Sequence, residues 1–204
     1  MSDLANPDAT LTAGASLGRP AATSHAEIER VAFELFAERG FEATTLDAIA
    51  DELGVARRTV ARYYRSKNDL PWGQFDATLT RFAALLDAMP AEMPLAEAIH
   101  RGVVRFNEFP AGARPTHRER MELILRTPAL VAHSELRYAE WRAVIERYVA
   151  SRLGLAPTDL LPRTVGRVSL ALALTTYDVW LEHPGQRLTD LLDEAMRALR
   201  DYLR

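Results

Sequence analysis

Residues Ala43–Leu70 read ATTLDAIADELGVARRTVARYYRSKNDL, and this stretch decides the fold. Thr44 or Thr45 can cap a short helix, in which Leu46, Ile49, Ala50 and Leu53 recur at three- and four-residue spacing to give one apolar face. Gly54 stops that helix and Val55 anchors the turn. A second short helix is predicted through Thr59 to Tyr63 or Tyr64. Residues 55–67 carry Arg57, Arg58, Arg62, Arg65 and Lys67 with no acidic residue, in a chain of net charge -3. Two helices joined by a glycine turn, the second locally basic, match the helix-turn-helix that lays one helix in the DNA major groove.

Arginine is the side chain best shaped for guanine edges and phosphates. With Val60 and Tyr64 leaning into the core, Arg57, Arg58 and Arg62 face outward for base or phosphate contacts. Thr45 and Thr59 border the groove, and Tyr63, Arg65 and Lys67 are placed for the DNA backbone. The amides opening the next helix are expected to favour a phosphate near Lys67. The competing reading is a solvated basic face, balanced by Glu27, Glu29, Glu34, Glu38, Asp47, Asp51 and Glu52, on a dimeric helical protein-interaction module that binds no DNA.

Working outward, Ser24 caps a first helix, with Glu27 completing a capping box and Ile28, Val31, Ala32, Leu35 and Phe36 on one face. Gly40 ends it and Phe41 turns back onto that face. Ser66 and Asp69 form a second capping box, predicted to open a fourth helix through Trp72, Phe75, Leu79, Phe82 and Leu86, with Pro71 tolerated near its start. Breaks follow at 90–94, 109–115 and 127–128; Pro128 then opens a helix reaching Ser151. Residues 154–162 read as loop or short helix, 163–181 as the most apolar run, and Thr189–Tyr202 as a last helix. No alternating strand pattern occurs, so the class is all-α. Residues 1–20 read as a flexible arm with Arg19 its only basic residue.

The chain of 204 residues has no cysteine, which excludes disulfides, thiolate metal sites and cysteine nucleophiles. The five histidines, His25, His100, His117, His133 and His183, are scattered, and no metal-binding spacing joins them. Ser134 and Ser169 lack a base at a useful spacing, and no glycine-rich phosphate loop is present. Asp178 is the one acid in an apolar helix, either buried or on a partly exposed polar stripe. No enzyme, metal or cofactor is therefore expected. The chain shows neither a signal peptide nor a run of roughly 18 apolar residues, so no membrane partner and a cytoplasmic location are expected.

The later helices suit a small-molecule effector between long helices. Phe82, Leu86, Val103, Phe106, Met121, Leu125, Leu136, Tyr138, Trp141, Ile145, Tyr177 and Trp180 are the candidates for its walls, although any of them can equally fill core. Tyr138, Trp141 and Tyr177 can each offer a hydrogen bond. Arg105, Arg137 and Arg142 are candidates for an anionic headgroup. Ala171, Leu172, Leu174, Thr175 and Tyr177 make the penultimate helix apolar around much of its surface, which predicts a homodimer through the last two helices.

The segments AFELFAERGFEATTL, DAIADELGV and RRTVARYYRSKNDL resemble the N-terminal domain of the TetR family of bacterial regulators over residues 22–70. The resemblance implies a three-helix DNA-binding domain at 21–70 and a helical ligand-binding and dimerisation domain at 71–204. It also implies a dimer on a palindromic operator, acting as a ligand-responsive repressor. One position departs: an aromatic common in the family's recognition helix, where it touches a phosphate, is replaced by Ala61, so Arg62 or Tyr63 must supply that anchor. NDLPWG (68–73), LRYAEWRAVI and LTDLLDEAMRALR are further similar to TetR-type regulators encoded beside mycofactocin biosynthesis genes. That group resembles acyl-CoA-responsive repressors, which implies a fatty acyl-CoA as the effector.

Overall fold

A computed structural model of the chain describes residues 23–110 and 112–202. The N-terminal arm at 1–20, with Arg19, lies outside the described residues. The described residues form helices joined by turns and loops and contain no strand. Helices α1 (His25–Arg39), α2 (Leu46–Glu52) and α3 (Arg57–Ala61) form a head. A 3-10 helix (Lys67–Trp72) joins it to a body built from α4 (Phe75–Asp87), α5 (Leu95–Phe106), α6 (His117–Arg126), α7 (Pro128–Leu153), α8 (Leu160–Glu182) and α9 (Leu188–Tyr202).

Local chemistry sets the head. Ser24 Oγ accepts from the Glu27 amide and Thr45 Oγ1 from the Ala48 amide, so both caps are made. At Gly54, φ is +64°, a left-handed turn that a side chain would strain, and the Val55 amide closes it on the Ala50 carbonyl at 3.0 Å. Ile28, Ala32, Leu35, Ile49, Val60 and Tyr64 fill the core between the three helices. Leu130 of α7 is fully buried in that same core, so the body's helices close the head from behind.

The fourth helix does not run as expected. The Ser66–Asp69 capping box is present, but it opens only the six-residue 3-10 helix, which contains Pro71. Gly73, at φ +57°, then breaks the chain, and α4 starts afresh at Phe75. Leu70 belongs to the head core and Trp72 to the body core, so this short helix is the joint. The recognition helix is also shorter than predicted, ending at Ala61, and α8 begins at Leu160 with Pro162 inside its first turn.

The body packs α8 between α7 and α9, with α4 and α5 covering the other side. Its core holds Phe82, Leu86, Val103, Ile124, Trp141, Ile145 and Leu192. No helix among the described residues is long and apolar enough to cross a membrane.

Candidate DNA-reading face and effector cavity

On α3, the apolar side is spent on Val60, and Tyr64 just beyond the helix is buried too. The opposite side is left to solvent. Arg58, Arg62 and Arg65 are exposed and form no ion pair with another described residue, whereas Arg57 reaches Asp47 at 3.5 Å. Thr45 is exposed beside them with its hydroxyl used as the α2 cap, and Thr59 is half-buried. Ala61 is exposed and offers no polar group.

Two of the expected backbone-binding groups are already engaged inside the head. The Tyr63 hydroxyl donates to the Thr23 carbonyl. Lys67 Nζ donates to the carbonyls of Phe41 at 2.7 Å and Glu42 at 3.1 Å, with its charge over the Phe41 ring. The expected phosphate site at the start of the next helix is also corrected. Its capping hydroxyl and amide are closed on the Asp69 carboxylate, which itself holds His133 and Arg137 at 3.1 Å each. Burial raises the Asp69 carboxyl, but the hydrogen bonds from Ser66 and Arg137 outweigh it and leave the group below the ordinary carboxylate range.

Behind the head lies a cavity of about 270 Å³. Five expected wall residues line it: Phe106, Met121, Tyr138, Trp141 and Tyr177. Six do not. Phe82, Leu86, Val103 and Ile145 are fully packed core, Leu125 and Trp180 pack against that core from outside the cavity, and Leu136 is 66% exposed. Trp72 and Phe75, from either side of the Gly73 break, complete an aromatic wall; their rings meet edge-on at 5.0 Å.

Three polar groups of the wall, Tyr177, Asn107 and His117, satisfy one another. The Tyr177 hydroxyl donates to Asn107 Oδ1, and Asn107 Nδ2 donates to the Val103 carbonyl at 2.8 Å. Tyr177 must then accept from His117, which assigns the ring proton to His117 Nε2 at 2.8 Å. Burial, reinforced by the nearby Arg120 charge, lowers the His117 pKa to about 3, so the ring is neutral. One wall group is an exception. The Trp72 indole N–H is buried without an acceptor among the described residues.

The arginines are placed differently from expectation. Arg137 is held by Asp69, Asp76 and Glu140, and neither Arg105 nor Arg142 lines the cavity. Arg81 and Arg120 line it instead, together with Glu29 from the head. Asp178 is exposed on α8. Each histidine has an ordinary partner, and no described group of His, Asp and Glu is arranged for a metal.

Along α8, Leu161, Thr164, Val168, Ala171, Thr175 and Val179 recur at three- and four-residue spacing and all face solvent. Of the residues expected to make this helix apolar around much of its surface, Ala171 and Thr175 lie on this stripe, whereas Tyr177 is buried and Leu174 lines the cavity.

Residues 28–70 match the tetR family of bacterial regulatory proteins and residues 93–204 match the MftR C-terminal domain. The chain is 42% identical over 179 residues to the protein named mycofactocin biosynthesis transcriptional regulator MftR in Mycobacterium tuberculosis, covering 88% of this chain and 90% of that one. Among solved structures it is similar to the fatty acid degradation regulator FadR of Bacillus halodurans, with a TM-score of 0.58 and 18% identity, over 84% of this chain and 95% of that one. It is also similar to FadR of Thermus thermophilus in complex with lauroyl-CoA, with a TM-score of 0.51 and 22% identity, over 86% of this chain and 93% of that one. At those identities the two structures establish the fold. The chain belongs to the TetR family of ligand-responsive, DNA-binding transcriptional regulators, and its C-terminal half is of the MftR type.

Proposed function

We propose that the protein is a homodimeric repressor that binds a palindromic operator and is released from it by an apolar effector, the acyl chain of a fatty acyl-CoA. One observation carries this reading: the aromatic cavity opens directly behind the DNA-reading head and shares Glu29 with it. A ligand there touches the element that sets the head's position. At about 270 Å³ the cavity lies just below the roughly 300–1,000 Å³ range of small-molecule sites. It therefore suits the acyl chain, with the nucleotide outside near the exposed Arg81.

Arg58 and Arg62 supply base or phosphate contacts in this reading, and Arg65 a phosphate contact. The α8 stripe supplies the partner. A two-fold dimer sets two α3 helices into successive major grooves, roughly 34–36 Å apart. The name of the similar Mycobacterium tuberculosis protein, a mycofactocin biosynthesis transcriptional regulator, supports operator sites near such genes.

The test is fluorescence anisotropy on duplexes selected by the full chain from a random library, titrated with salt and with lauroyl-CoA. A palindromic consensus, steep salt dependence and weakening by lauroyl-CoA are expected. Dimers that associate with no duplex in a salt-sensitive way would instead identify a protein-interaction module.

A further inference from the structure

We infer that the polar end of the effector is an oxygen acceptor that docks at the joint between head and body, where it competes with Glu29 for Arg120. This rests on the cavity being the effector site and names the chemistry that site reads.

Arg120 is the hub of the joint. Its Nη2 pairs with Glu29 Oε2 of α1, and its Nη1 donates to the Pro71 carbonyl at 2.7 Å and the Leu70 carbonyl at 3.3 Å. One guanidinium on α6 therefore ties the head's first helix and the 3-10 helix to the body. Both ends of the pair are mostly buried and both line the cavity. Glu29 Oε1 accepts in turn from the hydroxyl of Tyr64, the buried residue just after the recognition helix. Cavity wall, Arg120, Glu29 and Tyr64 form one continuous chain of contacts.

Gly73 shows how tightly this joint closes. A Cβ there would stand 3.0 Å from Arg120 Nη1 and 3.1 Å from Glu29 Oε2, so the backbone passes directly over the ion pair. Its left-handed φ is also what separates the 3-10 helix from α4. The NDLPWG segment thus covers the latch.

The wall states what kind of group can open it. His117 is neutral and its donor is used on Tyr177, so it holds no anion. Trp72, which lines the cavity one residue before Gly73, has a buried indole N–H with no acceptor among the described residues. An oxygen entering here gains Trp72 and takes over part of Arg120. Glu29 then becomes a buried carboxylate without its cation, an arrangement costly enough to drive it out and shift α1 with it. Two mutually exclusive partners for one arginine make a two-state element.

The experiment compares laurate and lauroyl-CoA with dodecylamine, which has the same chain length but a donor cation in place of the acceptor. The selected duplex reports DNA affinity and tryptophan fluorescence reports ligand binding. With the wild-type chain, laurate and lauroyl-CoA are expected to weaken DNA binding at least about tenfold, and dodecylamine to leave it unchanged. Arg120→Met should bring the ratio of affinities with and without laurate to within about twofold of unity, which a merely structural loss would not do. Trp72→Phe should weaken laurate binding about three- to tenfold, the range of one hydrogen bond.

Dodecylamine acting like laurate, or Arg120→Met keeping the wild-type response, overturns the inference. If the wild-type chain binds neither acyl compound, the acyl effector falls, and DNA alone decides the latch. Circular dichroism must first confirm the folded state. A tenfold loss of DNA affinity in folded Arg120→Met or Gly73→Ala then supports the latch, and wild-type affinity in both refutes it.

Discussion

His117 donates through Nε2 to the Tyr177 hydroxyl at 2.8 Å, and that bond fixes the ring as a neutral donor inside the cavity wall. The Phe109 ring lies stacked on its other side at 3.6 Å. Burial first, and Arg120 second, lower its pKa to about 3 from an ordinary value of 6.5. Between those values the unfolded chain binds a proton that the folded chain refuses. Stability is therefore full above about pH 6.5 and falls as the pH drops towards 3, by up to about 1.4 kcal/mol per pH unit for one such group. Chemical denaturation at pH 7.5, 6 and 5 should show this slope in the wild-type chain and a shallower one in His117→Gln. Equal slopes would place the acid sensitivity elsewhere, though not at Asp69, whose depressed pKa makes it lose stability only below its ordinary value of 3.8.

Arg58 and Arg62 stand free of any described carboxylate, so their desolvation on DNA breaks no internal pair. Changing either to Ala is expected to cost roughly 1–3 kcal/mol if it meets a base edge, with discrimination lost at one operator position. An equal loss on selected and random duplexes, with the salt slope reduced by about one, would assign that residue to a phosphate. Arg57 should matter less, because Asp47 competes for it.

The head was legible because its signals are local. Ser24, Thr45 and Gly54 act on atoms within a few residues, and the alternation of Ile49, Val60 and Tyr64 with the arginines fixes which side faces out. The break at Gly73 was not legible, since apolar spacing continues across Trp72 and Phe75 and the reason for the break lies on α1 and α6. Arg120 is no more legible, since its carboxylate partner is 91 positions away. Phe82 and Phe106 touch at 4.8 Å, yet only Phe106 lines the cavity. Composition cannot separate them, because the neighbours each ring meets on other helices decide which one is left facing space.

Leu86 and Gly102 show how closely α4 and α5 approach. A Cβ on Gly102 would lie 2.4 Å from Leu86 Cδ2, and Leu86 is fully buried. Gly102→Ala should destabilise by roughly 1–3 kcal/mol through overpacking, and Leu86→Ala by roughly 2–5 kcal/mol through the cavity it leaves. The double variant should be more stable than the sum of the two predicts, because the added methyl fills part of the space removed. Additive losses in urea denaturation would show that the contact relaxes without cost.

The α8 stripe yields the sharpest test of assembly. Val168 and Ala171 lie one turn apart at its middle, flanked by Leu161 and Val179, and Val168 is 40% exposed. A charge there has water around it in a single chain but would be desolvated between two copies. Val168→Glu combined with Ala171→Glu should therefore leave helix content and melting of the single chain nearly unchanged, since surface changes usually stay within about 0.5 kcal/mol. The same change should break the dimer, because two buried carboxylates per chain would face their symmetry mates. Sedimentation velocity should show a dimer for the wild-type chain and a monomer for the variant. DNA affinity should fall steeply with it, since one head on one half-site loses the gain from tethering two. A variant that remains dimeric would move the partner surface off this face of α8.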